Sequence, residues 1–257
     1  MKIKYTILPI IIIFLAVFHG TALSQDEDLF PGGRYNSEIP TPLEILGHRF
    51  GEVHTFHWEM EKYIHEIDRV SDRVKVFNYG RSYQGRDLYY ILIGSRENIS
   101  RYEEIRQDNL RLTDPRITSA EEAERLSDSL PAIVWLGYNI HGNEASSMEA
   151  AIRVLYQLAG GTDETTMNLL DNVLCIIDPN QNPDGHDRFV QSVRSVVTLK
   201  SHPQTNDVEH SSAWPGGRGN HYFFDLNRDF FLKTQVESLM KTRIFHEWRP
   251  HVFVDHH

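Results

Sequence analysis

The sequence predicts an α/β fold, a mixed and largely parallel sheet flanked by helices. Three observations carry that expectation. Apolar runs of strand length at 132–138, 173–177 and 251–254 each lead directly into polar, chemistry-bearing residues. Amphipathic stretches with apolar residues three and four apart lie between them. Strands that alternate with helices call for parallel pairing, because parallel neighbours need a crossover.

Each element has its own signal. Residues 42–70 carry a helical pattern, with Phe56, Met60, Tyr63, Ile64 and Ile67 recurring along one face. The histidines in this stretch, His54, His57 and His65, lack an accompanying carboxylate or cysteine pattern and read as packing or surface residues. Residues 74–77 and 88–93 read as two strands of a hairpin around Gly80-Arg81-Ser82-Tyr83-Gln84-Gly85-Arg86. That turn is one residue too long for the nucleophile elbow of a serine hydrolase, and it joins strand to strand rather than strand to helix, so no serine nucleophile is expected. Short helices follow at 100–110 and 119–127, the second opened by a capping box of Ser119 and Glu122. After the strand at 132–138, Ser146 and Glu149 read as the cap of a helix whose apolar face is Met148, Ala151, Ile152, Leu155, Leu158 and Ala159, ended by Gly160-Gly161. Residues 178–185, Asp-Pro-Asn-Gln-Asn-Pro-Asp-Gly, read as a loop, and 233–248 as a helix leading into the last strand.

Composition narrows the class. Lys2 and Lys4 precede an almost wholly apolar run to Phe18, and Ala22-Leu23-Ser24 supplies small residues before Gln25, so residues 1–24 read as a signal peptide. The run is too short for a membrane-spanning helix, so no stable span is expected after cleavage, and a secreted or periplasmic location follows. Residues 25–72 read as a leader and helical segment, and residues 73–257 as the main α/β domain. The net charge of −10 and the lack of a basic patch give no reason to expect nucleic acid. Cys175, the single cysteine, sits inside an apolar run as a small hydrophobe, so the core rather than disulfides must hold the fold. A strand pattern that stops at His256-His257 reads as a chain continuing beyond residue 257.

The chemistry starts at His141-Gly142-Asn143-Glu144, the only His-x-x-Glu among 14 histidines. It lies in the loop between a predicted strand and a predicted helix, where both side chains can turn to one point. One imidazole and one carboxylate make two-thirds of a catalytic zinc site, whose third ligand is commonly remote in sequence. Two further polar segments sit where open α/β sheets bind ligands: 218–228, Arg-Gly-Asn-His-Tyr-Phe-Phe-Asp-Leu-Asn-Arg, and Asp255-His256-His257.

These segments, with Asn182-Pro183-Asp184-Gly185 and the Gly80–Arg86 turn, resemble the zinc metallocarboxypeptidase family of the carboxypeptidase A type, in the family's order, from about Tyr79 onward. The resemblance implies one Zn2+ held by His141, Glu144 and a terminal histidine; family members read Asp-x-His there, which favours His257 over His256. It further implies that Asp225 hydrogen-bonds the first zinc histidine and that Asn227 and Arg228 bind the free carboxylate of a peptide or protein C-terminus. A guanidinium fork suits a planar carboxylate, and a neighbouring amide adds direction. Arg218, ten residues before Arg228, is the candidate that polarises the scissile carbonyl, with Arg194 and Arg188 as competitors. The implied activity is an exported carboxypeptidase. Its general-base glutamate and capping tyrosine are expected beyond residue 257, so the segment itself is expected to be nearly inactive. A zinc-dependent deacylase of the same superfamily, and a non-catalytic zinc- or carboxylate-binding protein, are the alternatives. Oligomeric state and side-chain preference are not legible.

Overall fold

The computed structural model describes Phe30 and residues 33–197, 202–210 and 214–257. The expected signal peptide at 1–24 lies outside the described residues. Residues 34–257 form one compact unit.

Five strands make a single sheet: β1 (Val74–Arg81), β2 (Asp87–Ile93), β3 (Ala132–Tyr138), β4 (Val173–Asp178) and β5 (Val252–His256). Their order is β1-β2-β4-β3-β5. The hairpin β1–β2 and the pair β2–β4 are antiparallel, while β3 pairs in parallel with both β4 and β5. The sheet is therefore mixed, and its parallel half is the half that ends at the functional segments. β2 and β4 are buried along nearly their whole length, which is why they read as unbroken apolar runs rather than alternating ones.

Helices cover both faces. In chain order the main ones are α1 (Pro42–Leu46), α2 (His57–Val70), α3 (Arg96–Ser100), α4 (Tyr102–Leu112), α5 (Ala120–Ser129), α6 (Ser146–Gly160), α7 (Glu164–Asn172), α8 (Pro183–Arg194) and α9 (Val236–Trp248). On one face Tyr90, Leu92, Ile133, Trp135, Leu174 and Ile176 pack with Ile105 of α4 and with Ile244 and Trp248 of α9. On the other, α2 contributes Met60, Tyr63, Ile64 and Ile67, and α6 contributes Met148, Ala151, Ile152 and Leu155, all buried. Cys175 is buried in β4, and burial pushes its thiol up to about 12, so it is an inert hydrophobe at neutral pH.

Several local expectations are corrected. The helix expected over 42–70 is two helices: α1 stops at Gly47, which is left-handed at φ 77°, and the chain resumes helical structure only at His57. Ser119 caps α5 through the Glu122 N–H, but the Glu122 carboxylate pairs with Arg111 and Arg125 instead of closing the box. Ser146 is not a cap at all. The residue before α6 is Ala145, and Glu149 accepts from the Thr55 N–H at 2.7 Å, a partner 94 positions away. Asn182-Pro183-Asp184-Gly185 is the start of α8 rather than open loop: Asn182 accepts from the Gly185 N–H at 3.0 Å, and Pro183 takes the first turn, where its missing N–H costs nothing.

Candidate metal centre

The ligand loop leaves β3 through Asn139, buried and left-handed at φ 59°, a conformation that asparagine tolerates better than most residues. In the orientation that pairs donors with acceptors, its amide donates to the carbonyls of His141 and Glu144 at 3.0 and 3.3 Å. The loop closes on itself as the Glu144 N–H donates to the His141 carbonyl at 3.0 Å. Both side chains are thereby turned to one side.

Three glycine-bearing loops meet behind them. A Cβ on Gly142 would lie 2.2 Å from the His186 nitrogen and 2.7 Å from the Gly217 carbonyl oxygen. One on Gly185 would lie 2.4 Å from the Gly219 oxygen, and one on Gly217 would lie 2.6 Å from the Gly185 oxygen. The His141 loop, the start of α8 and the 216–220 loop are thus packed backbone against backbone.

Asp184 joins the hairpin turn to this assembly. It accepts from the Ser82 hydroxyl at 2.6 Å, the Gln84 N–H at 3.1 Å and Arg86 Nη1 at 2.9 Å. Asn220, fully buried, accepts from the Tyr222 and Phe224 N–H groups, each at 3.1 Å, and shapes the loop that carries Arg218 and Asp225.

At the centre, His141 Nδ1 lies 3.0 Å from Glu144 Oε1, and His257 Nδ1 lies 2.9 Å from Glu144 Oε2. The two Nδ1 atoms are 3.2 Å apart. His141 Nε2 faces Asp225 Oδ1 at 2.9 Å, and His257 Nε2 faces Asp255 Oδ2 at 3.1 Å. Each imidazole thus has a carboxylate at both nitrogens; with a cation at the centre the Nδ1 lone pairs would turn to it, and Asp225 and Asp255 would accept from the Nε2 N–H groups. Ligand atoms of His141, Glu144 and His257 lie within 4.8 Å of one another, the one such group of metal-ligating side chains among the described residues. Zinc–nitrogen bonds of about 2.0–2.1 Å in a tetrahedron place neighbouring ligand atoms about 3.3 Å apart. The donor set and its spacing fit zinc.

The other expected residues divide clearly. His256 points to the opposite face of β5: its ring stacks on Tyr138 at 4.1 Å, and its Nδ1 lies 3.2 Å from the Gly137 carbonyl. Asp225 accepts from Arg218 Nε and Nη2 at 3.1 and 2.9 Å through the oxygen that does not face His141. Burial pushes its carboxyl up, but the bonds to His141 and Arg218 outweigh that and hold it below the usual carboxylate range. Arg218 Nη1 reaches 3.3 Å from His141 Nδ1 and 3.8 Å from Glu144 Oε1, on the rim of the centre.

Asn227 places its amide nitrogen 3.4 Å from His257 Nε2. Arg228 is exposed, with no side-chain hydrogen bond or ion pair among the described residues. The two competing arginines are committed elsewhere. Arg194 pairs with Glu59 at 2.8 Å and donates to the His54 carbonyl. Arg188 donates to the carbonyls of Gly216, Gly219 and Asn220, bracing the loop that carries Arg218.

Sequence reasoning missed Asn139 and His186, and it gave Asp184 and Arg188 no part in bracing these loops. His186 is buried, with Nε2 2.8 Å from the Thr55 carbonyl and Nδ1 2.9 Å from the Asn139 amide. Burial pushes its imidazole down to about 4. A histidine one residue after Asn-Pro-Asp-Gly was the only signal available, and nothing in its spacing names these partners.

The family model for zinc carboxypeptidases matches residues 60–247. Carboxypeptidase D of Anas platyrhynchos is 24% identical over 191 residues, 74% of this chain and 10% of that protein. Carboxypeptidase D of Homo sapiens is 23% identical over 191 residues. The chain spans about a tenth of the length of these curated relatives. A solved metallo-carboxypeptidase from Burkholderia cenocepacia superposes with a TM-score of 0.50 at 17% identity, covering 77% of this chain and 40% of that one, a likeness of fold.

Proposed function

The chain belongs to the zinc carboxypeptidase family, and from that premise we propose that the protein is an exported zinc-dependent carboxypeptidase that hydrolyses the last peptide bond of peptides or proteins. The observation that carries this reading is the convergence of His141 Nδ1, His257 Nδ1 and the Glu144 carboxylate, with Arg218 Nη1 on their rim. His141, Glu144 and His257 would hold the metal. Bound there, zinc supplies Lewis acidity, acidifying a water and polarising a carbonyl.

The protein's own residues do the rest. Asp225 and Asp255 keep the Nε2 protons of the two histidines and so keep both Nδ1 lone pairs directed inward. Arg218, held by Asp225, offers Nη1 at the rim, where a developing oxyanion forms; a contact of this kind contributes about 3–4 kcal/mol per donor. Arg228 and Asn227 receive the substrate's terminal carboxylate, which confines attack to the last bond. The glutamate base and capping tyrosine are proposed to come from beyond residue 257. Turnover is therefore expected of the complete protein, and zinc binding already of residues 1–257.

The test compares an N-acylated dipeptide carrying a free terminal carboxylate with its C-terminal amide, using the complete protein. One zinc per chain and cleavage of the free acid alone are expected, and His141→Ala should abolish both. Activity retained by that variant, or equal cleavage of the amide, overturns the proposal; release of the acyl group from an N-acyl aspartate instead identifies a deacylase. Arg228→Ala should raise KM by about ten-fold or more, the loss of a charge-assisted contact of ~1.5–3 kcal/mol. Export is checked by N-terminal sequencing of the mature protein, expected to begin at Gln25.

A further inference from the structure

The segment that carries Arg218, Asp225, Asn227 and Arg228 is fastened to the start of α9 at two points. The first is Asn220, fully buried. Its Oδ1 accepts from the Tyr222 and Phe224 N–H groups, which fixes the oxygen end of the amide. Its Nδ2 therefore faces α9, donating to Gln235 Oε1 at 3.0 Å and to Glu237 Oε2 at 3.3 Å. The second point is Asp229, which accepts from the Thr234 and Gln235 N–H groups, each at 2.9 Å. Between the two points the chain presents Asp225 to His141 Nε2 at 2.9 Å and leaves Arg228 exposed. Arg218 stands two residues before the first.

Every step from α9 to the metal centre is a hydrogen bond or a covalent link. From Glu237 the path runs to the Asn220 amide, from that amide to the Phe224 N–H, and from Phe224 to its neighbour Asp225. Asp225 then divides, with Oδ1 facing His141 and Oδ2 holding Arg218 at 2.9 Å. The Asn220 N–H donates to the Phe224 carbonyl at 3.0 Å, and the Asn220 carbonyl accepts from the Phe223 N–H at 3.1 Å, so residues 220–224 are a closed turn. Glu237 is buried; burial pushes its carboxyl above the usual range, and the bond from Asn220 works against that rise. A buried carboxylate is a costly anchor for a loop whose only task is to pack. Its gain is direction, since hydrogen bonds set the rotation of the Asn220 amide and with it the path to Asp225.

We propose that Asn220 and Glu237 are positioning residues for the metal centre: their contact fastens the 218–229 segment to α9, and so holds Asp225 against His141 and Arg218 on the rim. This inference rests on the zinc reading above. The helix that takes this contact in its first turn leads, past Trp248, into β5 and His257. Both imidazoles of the centre are thereby referred to one helix, His141 through Asp225 and Asn220, His257 through the strand that follows.

The test is zinc affinity by chelator competition, together with the absorption spectrum of the cobalt-substituted protein, for Asn220→Asp alone and combined with Glu237→Gln. Asn220→Asp keeps the oxygen that serves the Tyr222 and Phe224 N–H groups but sets an acceptor against the oxygens of Gln235 and Glu237. It should weaken zinc binding about ten-fold, the lower end of what outer partners of metal ligands contribute, and should alter the cobalt spectrum. Adding Glu237→Gln returns a donor to the contact and should bring affinity and spectrum back toward wild type. In an Asp225→Asn background, Asn220→Asp should have little further effect, because its route to His141 is gone. Wild-type affinity and spectrum in Asn220→Asp overturn the proposal, even if its urea midpoint falls, since that is a role in stability alone. A loss that Glu237→Gln does not recover overturns it too. A wild-type chain that binds no zinc overturns the metal centre itself and this inference with it. Should Asn220→Asp not fold, the pair Gln235→Ala and Glu237→Ala removes both acceptors without touching the loop; wild-type affinity there overturns the proposal equally.

Discussion

His141 and His257 meet at one point but are held there by opposite means. His141 is 3% exposed, gripped by Asp225 on one ring nitrogen, and mounted on a loop packed backbone to backbone against two others. The His257 side chain is 40% exposed and stands at the end of β5, at one edge of the five described strands. His141 is set by close packing, His257 by strand register and a carboxylate two residues away. A metal bound at this point would meet a rigid half and a half whose precision depends on the sheet.

That contrast is best broken at Gly142. A methyl group there would lie 2.2 Å from backbone, with no flexible side chain to yield. Gly142→Ala is expected to destabilise by about 2–3 kcal/mol, the upper range for overpacking, and to remove zinc binding; a denaturation midpoint close to wild type would show that the loops are not locked. Asp225→Asn loosens the same half without breaking it, and should lower zinc affinity by about 10–100-fold in a competition titration.

The surroundings of the rigid half also carry a pH signature. The His186 imidazole is held down to about 4 from an ordinary 6.5. Between those values the unfolded chain takes up a proton that the folded one refuses. Stability is therefore full above pH 6.5 and lost as pH falls toward 4, with a limiting slope of about 1.4 kcal/mol per unit. Urea denaturation at pH 7.5, 6 and 5 measures it, and His186→Gln should flatten it. The smallest effect belongs to the half carried by β5: His256→Ala should keep wild-type zinc affinity and lose only the stacking on Tyr138, about 0.5–1.5 kcal/mol, whereas His257→Ala should lose the metal.

The same division governs what the sequence discloses. His-x-x-Glu after a buried strand, the hairpin turn and the apolar faces of α2 and α6 are visible because strand and helix periods act over a few residues. Asp-x-Asn-Arg and the terminal histidine were found through a family resemblance, since nothing local ties Asp225 to a residue 84 positions before it. Glu149 was misread as a cap because its partner, the Thr55 N–H, is remote. The break after α1 was missed because Gly47 interrupts a pattern that the apolar spacing alone carries past it. Asn139 and His186 escaped notice, and Asp184 was visible only as part of a motif, since their work is hydrogen bonding to backbone and polar groups of other loops, which no periodicity records.

The tandem His256-His257 has a consequence for fidelity in folding. A slip of β5 by one residue against β3 would exchange the two faces of the strand and deliver His256 to the place of His257. The centre would still find an imidazole, and metal capture would then reward the wrong pairing. Discrimination must come from the other face: the Tyr138 ring lies flat on His256, at 7°, and the Ser147 hydroxyl donates to the His256 carbonyl at 2.9 Å. Those two contacts favour the register that brings His257, rather than His256, to the centre.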